Sequence, residues 1–325
     1  MNAFRTTVAI MLGALALSIP VQHASGQDYP NKPIRYIVPW PPGGGSDVLA
    51  RLIGQELSKA LGQQVIIDNR AGASGNIGAE FAAKSPADGY TILSAYSGTH
   101  VINPAIFKSI PFTERDFDPV IWLVSVPMMV VLHPALPVNS IQELIAYAKA
   151  NPGKLNYGSS GSGAYNHLAG ELFNRMAGTQ ITHVPFKGGG PAATALLGGQ
   201  IEIMFTDPTA HLGNVKAGKL RAIGVTSTAP AATMPGLPPI AGSGVPNYEI
   251  TSWNGILAPA GVPPHIVKLL NAELNKILAR AEIRQRLIDT GYVPVGGPPE
   301  KLSQHIRAEI AKWSPVVREL GIKVD

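Results

Sequence analysis

The sequence contains no cysteine, which excludes disulfides, a thiol nucleophile, a thiolate metal site and a lipid-anchoring cysteine. Charged residues make up only 14% of the chain and form no basic run, so no nucleic-acid partner is expected. The motifs G-x-S-x-G, H-E-x-x-H and G-x-G-x-x-G are absent, as is a P-loop. We therefore expect no catalytic residues, no metal site and no cofactor.

The first 26 residues have the pattern of a cleavable signal peptide. Arg5 precedes an apolar run from Val8 to Leu17, and Ala24-Ser25-Gly26 provides a small-residue cleavage site. That run is too short to span a bilayer, and no later stretch reaches the roughly 20 apolar residues that a membrane helix needs. We expect export to the periplasm without a membrane anchor. Removal of this segment takes away one positive charge and leaves a mildly basic chain.

A strand, a glycine turn and a helix follow one another in IRYIVPWPPGGGSDVLARLIGQEL, residues 34–57. Ser46 is the expected N-cap, and the apolar positions Val48, Leu49, Leu52, Ile53 and Leu57 recur at helical spacing. Three glycines allow close backbone approach, and the free N–H groups of a helix N-terminus bind anions. The stretch is also compatible with a tight connection that binds nothing.

Similar strand–turn–helix units recur along the chain, which favours parallel α/β sheets. Loops at the carboxyl ends of such strands line ligand crevices. The predicted loops are 40–47, 69–75 and 96–100 in the first half, and 158–165, 186–191 and 205–209 in the second. His100, in the third of these loops, is expected to form hydrogen bonds rather than to bind a metal.

Two long apolar stretches, near 120–134 and 250–258, are each expected to cross between two sheets. The domain boundaries that follow are a signal peptide at 1–26, lobe 1 at 27–127 plus 250–325, and lobe 2 at 128–249. We predict two hinged α/β lobes with a cleft between them that binds a small anion.

Motifs along nearly all of the remaining chain resemble the periplasmic substrate-binding proteins of tripartite tricarboxylate transporters, also called the Bug family. The stretches that carry the resemblance are YPNKPIRYIVPWPPGGGSDVLAR, VIIDNRAGASGNIGAEFAAKSPADGYT, THVINPAIF, LNYGSSGSGAYNHLAGELF, HVPFKGGGPA, LLGGQIEIMF, KAGKLRAIGVTS and WNGILAPAGVPPHIVKLLNAEL. The resemblance implies a type II periplasmic-binding-protein fold, capture of small carboxylates for inner-membrane transporter subunits, and no catalysis. We expect a monomer.

The resemblance also implies that one ligand carboxylate is held by backbone amides and hydroxyls of two Gly/Ser loops. The corresponding positions here are Gly43, Gly44, Gly45, Ser46, Asp47, Ser159, Ser160, Gly161, Ser162 and Gly163. Ser97, at the end of the third strand, is included with them.

Three departures from the family pattern concern the distal end of the pocket. Trp40 replaces a usual Phe, and Ala164-Tyr165 replaces a Thr/Ser-like pair. Thr206 stands where the family commonly has an Asp, and the Asp of this chain, Asp207, follows one position later. Trp40 and Tyr165 either form an aromatic wall that favours an aromatic acid or pack between the lobes. If Asp207 faces the cleft, it repels a second carboxylate and favours an amine or hydroxyl.

The sequence leaves two other functions open. A sensor that signals to a membrane receptor would use the same fold and pocket. A secreted hydrolase would need a nucleophile–base pair, for which Ser160 or Ser162 with His167 is the candidate.

Overall fold

The computed structural model describes residues 29–231 and 233–321, and the strands within these ranges form two sheets. The predicted signal peptide lies outside the described residues. The first sheet has the strand order β11-β4-β10-β3-β1-β2. Its strands are β1 (Ile34–Val38), β2 (Val65–Asn69), β3 (Thr91–Tyr96), β4 (Phe117–Pro127), β10 (Thr251–Pro259) and β11 (Val293–Pro294). The first three strands are mutually parallel, and the other three run antiparallel to their neighbours.

The second sheet has the order β7-β6-β8-β5-β9. Its strands are β5 (Met129–Leu132), β6 (Asn156–Ser159), β7 (Thr182–Pro185), β8 (Ile203–Thr206) and β9 (Arg221–Val225). Strand β6 is parallel to β7 and β8, and β5 is antiparallel to β8 and β9. The prediction of an α/β fold with two sheets is confirmed, but the expectation of purely parallel sheets is not, because both sheets combine parallel units with antiparallel strands.

Helices connect these strands and cover the sheets. They are α1 (Gly45–Leu61), α2 (Asn76–Ala83), α3 (Asn103–Ile106), α4 (Ile141–Ala150), α5 (Tyr165–Ala177), α6 (Gly189–Leu197), α7 (Pro208–Lys216), α8 (Pro264–Ala279), α9 (Ala281–Asp289) and α10 (Pro299–Glu319). A π-helical turn, Gly98–Ile102, joins β3 to α3. Within the part of the chain that is described, none of the helices combines the length and apolarity needed to cross a bilayer.

Helix α1 shows how far the local pattern determines the structure. Leu49, Ile53 and Leu57 are buried, as their spacing predicts, but Val48 is 44% exposed because it points away from the sheet. The predicted N-cap, Ser46, is wrong: the helix begins at Gly45, and the N-cap is Gly44. A glycine at that position lets the turn close without a capping side chain.

The chain passes between the two sheets twice. Strand β4 ends at Pro127 in the first sheet and β5 begins two residues later in the second, so the crossing predicted near 120–134 is confirmed. The crossing predicted at 250–258 is wrong: β10 lies wholly in the first sheet, and the chain returns through the segment between β9 and β10. Buried Thr226 links the two crossings. Its hydroxyl lies 2.9 Å from the Met128 nitrogen, its N–H donates to the Met128 carbonyl, and its own carbonyl accepts from Ile250. The hydrophobic cluster is continuous across both sheets, from Ile37 to Phe205.

Candidate functional site

The loop after β1 presents free backbone donors at an exposed position. Gly43 has a φ of +85°, in the left-handed region that favours glycine, and Gly44 precedes the helix. A Cβ atom added to Gly43 would meet nothing within 4 Å, so the surface in front of the loop is open. The first N–H groups of α1, through Asp47, have no intrahelical acceptor, and the helix dipole makes this end positive. An anion can be held here without a charged side chain.

Asp47 holds this loop in shape from within. Its carboxylate is 2% exposed and accepts hydrogen bonds from the Gly43 N–H, from Arg51 Nε and from Asn69 Nδ2, all at 2.9 Å. Burial alone would raise the pKa of the Asp47 carboxyl, but these hydrogen bonds outweigh it and lower the pKa. The carboxylate is therefore occupied, and Asp47 has only its backbone N–H to offer a ligand. Ser46 accepts a hydrogen bond from Asn254 Nδ2 at 3.1 Å, which orients its hydroxyl.

The loop after β6 has the same form. Gly161 and Gly163 have φ values of +141° and +76°, and Ala164 precedes α5. Ser162 is exposed, whereas Ser160 is half-buried and bonds to Asn166 Oδ1 through both its N–H and its hydroxyl. Gly/Ser loops thus stand at the carboxyl end of a parallel strand in each sheet, as the sequence predicts.

Ser159 lies behind this second loop. It is fully buried, donates to the Gly161 carbonyl at 2.9 Å, and lies 2.6 Å from His183 Nε2. His167 Nδ1 accepts a hydrogen bond from the Gly163 N–H at 3.0 Å. Ser159 and His167 therefore shape the loop from inside rather than face an approaching ligand.

The Ser–His pair that a hydrolase would need is not formed by Ser160 and His167. Ser160 bonds to Asn166, and His167 bonds to a backbone amide of its own loop. Among the described residues, Ser159 and His183 do make a close Ser–His contact, but it is buried where a substrate carbonyl cannot reach the hydroxyl. In the described ranges, no group of three or more His, Asp and Glu side chains could hold a metal ion.

Residues from both sheets meet where β1, β3 and β8 end. The ring of half-buried Trp40 packs edge-on against Tyr96, with centroids 5.8 Å apart. Burial raises the Tyr96 pKa, and the negative charge of Asp207 raises it further, so Asp207 lies near that ring. Burial also raises the Asp207 pKa to about 6. Trp40 Nε1 is buried and has no hydrogen-bond partner in the described chain, which leaves a donor unused.

The remaining predicted site residues are buried. Ser97 pairs its hydroxyl with Ser252 at 2.9 Å, and Thr206 is 6% exposed at the end of β8. Tyr165 is 2% exposed and donates its hydroxyl to the Thr251 carbonyl or to Glu309 Oε2, at 3.1 and 3.2 Å. Of the two roles considered for Tyr165, packing between elements of the two sheets is the one that this geometry matches.

Sequence reasoning did not identify four residues that shape the site: Tyr96, Asn254, His183 and Asn69. Tyr96 and Asn69 end strands that were predicted, so their positions offered a signal. Asn254 and His183 act on loops that are distant in sequence, and no local pattern indicates this.

Comparison with known proteins agrees with this architecture. The family model for the tripartite tricarboxylate transporter family receptor matches residues 49–322. Protein BugT of Bordetella pertussis is 36% identical over 326 residues, which cover 100% of this chain and 99% of BugT. The R. palustris protein Rpa4515, solved with adipate, is 39% identical with a TM-score of 0.87, covering 91% of this chain and 99% of that one. MatC from Rhodopseudomonas palustris, solved with bound malate, is 31% identical with a TM-score of 0.81, covering 89% and 100%.

These matches extend along nearly the whole chain, and the solved relatives share its two-sheet architecture. The resemblance found in the sequence is therefore confirmed, and this chain belongs to the tripartite tricarboxylate transporter receptor family.

Proposed function

We propose that this chain is a periplasmic solute-binding protein that captures a small carboxylate and delivers it to a tripartite tricarboxylate-type membrane transporter. The observation that carries the proposal is the pair of open Gly/Ser loops, residues 43–47 and 160–163, each at a helix N-terminus and at the carboxyl end of a parallel strand. Backbone N–H groups in that arrangement bind anions. Relatives solved with adipate and malate support a carboxylate as the anion.

The proposed binding cleft lies between lobe 1, residues 27–127 plus 250–325, and lobe 2, residues 128–249. In support, the negative charge of Asp207, which follows β8, raises the pKa of Tyr96 at the end of β3. Such an effect indicates that the carboxyl ends of these two strands lie near each other. The two crossings, tied together by Thr226, are the proposed hinge. Lobe closure would then bring both loops to one ligand carboxylate.

The proposed distal end of the cleft is formed by Trp40, Tyr96 and Asp207. A charged Asp207 repels a second carboxylate that approaches it and favours a hydroxyl or amine. The unpartnered Trp40 Nε1 supplies a hydrogen-bond donor for an acceptor atom of the ligand. A hydroxy acid satisfies both groups.

A thermal-shift screen of the purified, refolded protein tests this function. The probes are malate, adipate, glutamate and benzoate, each compared with its neutral amide. A ligand at about 100 times its Kd stabilises the folded state by about 2.7 kcal/mol, which raises the melting temperature by several degrees. We expect shifts from acids and none from the amides. Equal shifts from acids and amides, or none from any acid after refolding, would overturn the proposal.

A further inference from the structure

A cavity of about 700 Å³ opens on the side of the first sheet that α10 covers. It lies at the end of β4 and β10 that is distant from the crossings: Phe117, which lines it, pairs with Pro259, whereas Pro127 pairs with Thr251. A strand rises about 3.3 Å per residue, so the length of β4 places the cavity roughly 30 Å from the crossings. It is therefore separate from the proposed carboxylate cleft.

The interior of the cavity is apolar and aromatic. Its lining includes Phe107, Ile110, Phe112, Phe117 and Ile306. Phe112 and Phe117 pack edge-on with ring centroids 5.7 Å apart, and both are largely buried. Pockets of about 300 to 1,000 Å³ with such walls bind small organic molecules.

The rim of the cavity is basic. Lys108, Arg115 and Arg307 line it, against one carboxylate, Glu114. Glu114 lies 3.8 Å from Arg307, whereas Lys108 and Arg115 are exposed and form no ion pair in the part of the chain that is described. The neighbouring Asp116 carboxylate accepts hydrogen bonds from Thr113 and, within the described ranges, makes no ion pair with either cation. Two cations are thus left for an anion.

A buried polar atom lies among the apolar walls. His100 lines the cavity and is 7% exposed, and its ring packs edge-on against that of Phe117 with centroids 5.3 Å apart. Its Nε2 has no hydrogen-bond partner among the residues that the structure describes. Burial lowers its pKa to about 4, so the ring is neutral at neutral pH. Buried polar atoms normally have a partner, so this nitrogen leaves hydrogen-bonding capacity unused in the wall of the cavity.

We propose that this cavity is a second binding site, which takes an organic anion with an apolar body, such as a medium-chain carboxylate. The apolar body lies against Phe112, Phe117 and Ile306, and the carboxylate lies at the rim between Lys108 and Arg115.

Isothermal titration with octanoate tests the proposal, with octanamide as the neutral probe. The double variant K108E/R115E reverses both unpaired rim charges, and K268E/R284E makes the same charge change at exposed positions on α8 and α9. We expect K108E/R115E to weaken octanoate binding at least tenfold and K268E/R284E to change it less than twofold. Ile110→Trp, which fills the cavity while keeping the rim charges, is expected to abolish octanoate binding.

Three outcomes would overturn the proposal: no octanoate binding to the parent protein, equal weakening by both charge-reversed pairs, or unchanged binding in Ile110→Trp. An octanoate signal that is lost in Ser162→Ala and kept in K108E/R115E would assign octanoate to the carboxylate cleft and also overturn it. Failure here leaves the proposed function intact, because that function is tested with probes for the other site.

Discussion

The imidazole rings of His167 and His183 stack with centroids 3.8 Å apart and planes 17° apart, directly behind the second Gly/Ser loop. Each ring bonds to that loop: His167 accepts from the Gly163 N–H, and His183 contacts Ser159. Burial lowers the pKa of both histidines, that of His167 to about 3 and that of His183 to about 4. The loop geometry therefore depends on two neutral imidazoles.

This pair predicts a loss of stability in mild acid. The unfolded chain takes up protons near the ordinary histidine pKa of 6.5, whereas the folded rings stay neutral until about pH 4, so acid favours unfolding. At pH 5 we expect a loss of about 2 kcal/mol from buried His167, and less from half-buried His183. Melting temperatures between pH 7.5 and 5 should fall, and His183→Gln should remove part of that fall. The exposed control His265→Gln should retain all of it; equal behaviour of the two variants would contradict the prediction.

Gly170 predicts a steric effect within the same lobe. A Cβ added there would lie 2.2 Å from the ring of Tyr157, which is fully buried and donates its hydroxyl to Glu171 Oε1 or to the His167 carbonyl. We expect Gly170→Ala to lower the free energy of unfolding in urea by about 1–3 kcal/mol. Gly213→Ala on α7 is the control: its Cβ meets nothing within 4 Å, so the better helix former should be neutral or stabilising. Equal stability of the two variants would show that Tyr157 moves aside.

Ser46 and Ser162 predict a general effect on affinity. In the proposed cleft both hydroxyls donate to the shared ligand carboxylate, and a hydrogen bond to a charged group contributes about 1.5–3 kcal/mol. Ser46→Ala and Ser162→Ala should each weaken binding of malate or adipate by about tenfold or more, measured by calorimetry, with little change in melting temperature. Ser314→Ala, on α10, should leave affinity unchanged. Reduced stability with unaltered affinity would refute the assignment of these loops to the cleft.

Asp207 predicts a change in ligand preference and in pH dependence. With its pKa raised to about 6, its carboxylate is largely charged at pH 7.5 and half protonated near pH 6. If it faces a dicarboxylate, affinity for malate should rise severalfold between pH 7.5 and 6, and Asp207→Asn should bind malate tightly at both values. A pH-dependent affinity that persists unchanged in Asp207→Asn would place the responsible group elsewhere.

Much of the fold could be read from the sequence because its signals are local. The alternation of buried strands, glycine turns and amphipathic helices identified the parallel units, and the long apolar run at 120–134 identified the first passage between the sheets. The run at 250–258 was misassigned as a second crossing, because length and apolarity do not distinguish a crossing from a long strand within one sheet. The N-cap of α1 was misplaced, because a glycine cap leaves no side-chain signature.

The candidate site was predictable only in part. The glycines and serines of both loops are visible as motifs, and helix geometry predicts that the first N–H groups of α1 and α5 have no intrahelical acceptor. It does not predict that the N–H groups of Gly43, Gly161 and Gly163 are bonded within their own loops. Which side chains are free to bind a ligand could not be predicted. Hydrogen bonds already engage Asp47 with Arg51 and Asn69, Ser97 with Ser252, and Tyr165 with Glu309.

The sequence alone determined the family, the order of strands and helices, and where the anion-binding loops fall, since these depend on spacing and on residues near one another in the chain. Only the tertiary structure decided which polar groups remain free, because each partner comes from a different strand or helix. It also decided the pKa values of His167, His183 and Asp207, which depend on burial. The basic-rimmed cavity beside His100 likewise exists only once α10 packs against the residues between α3 and β4.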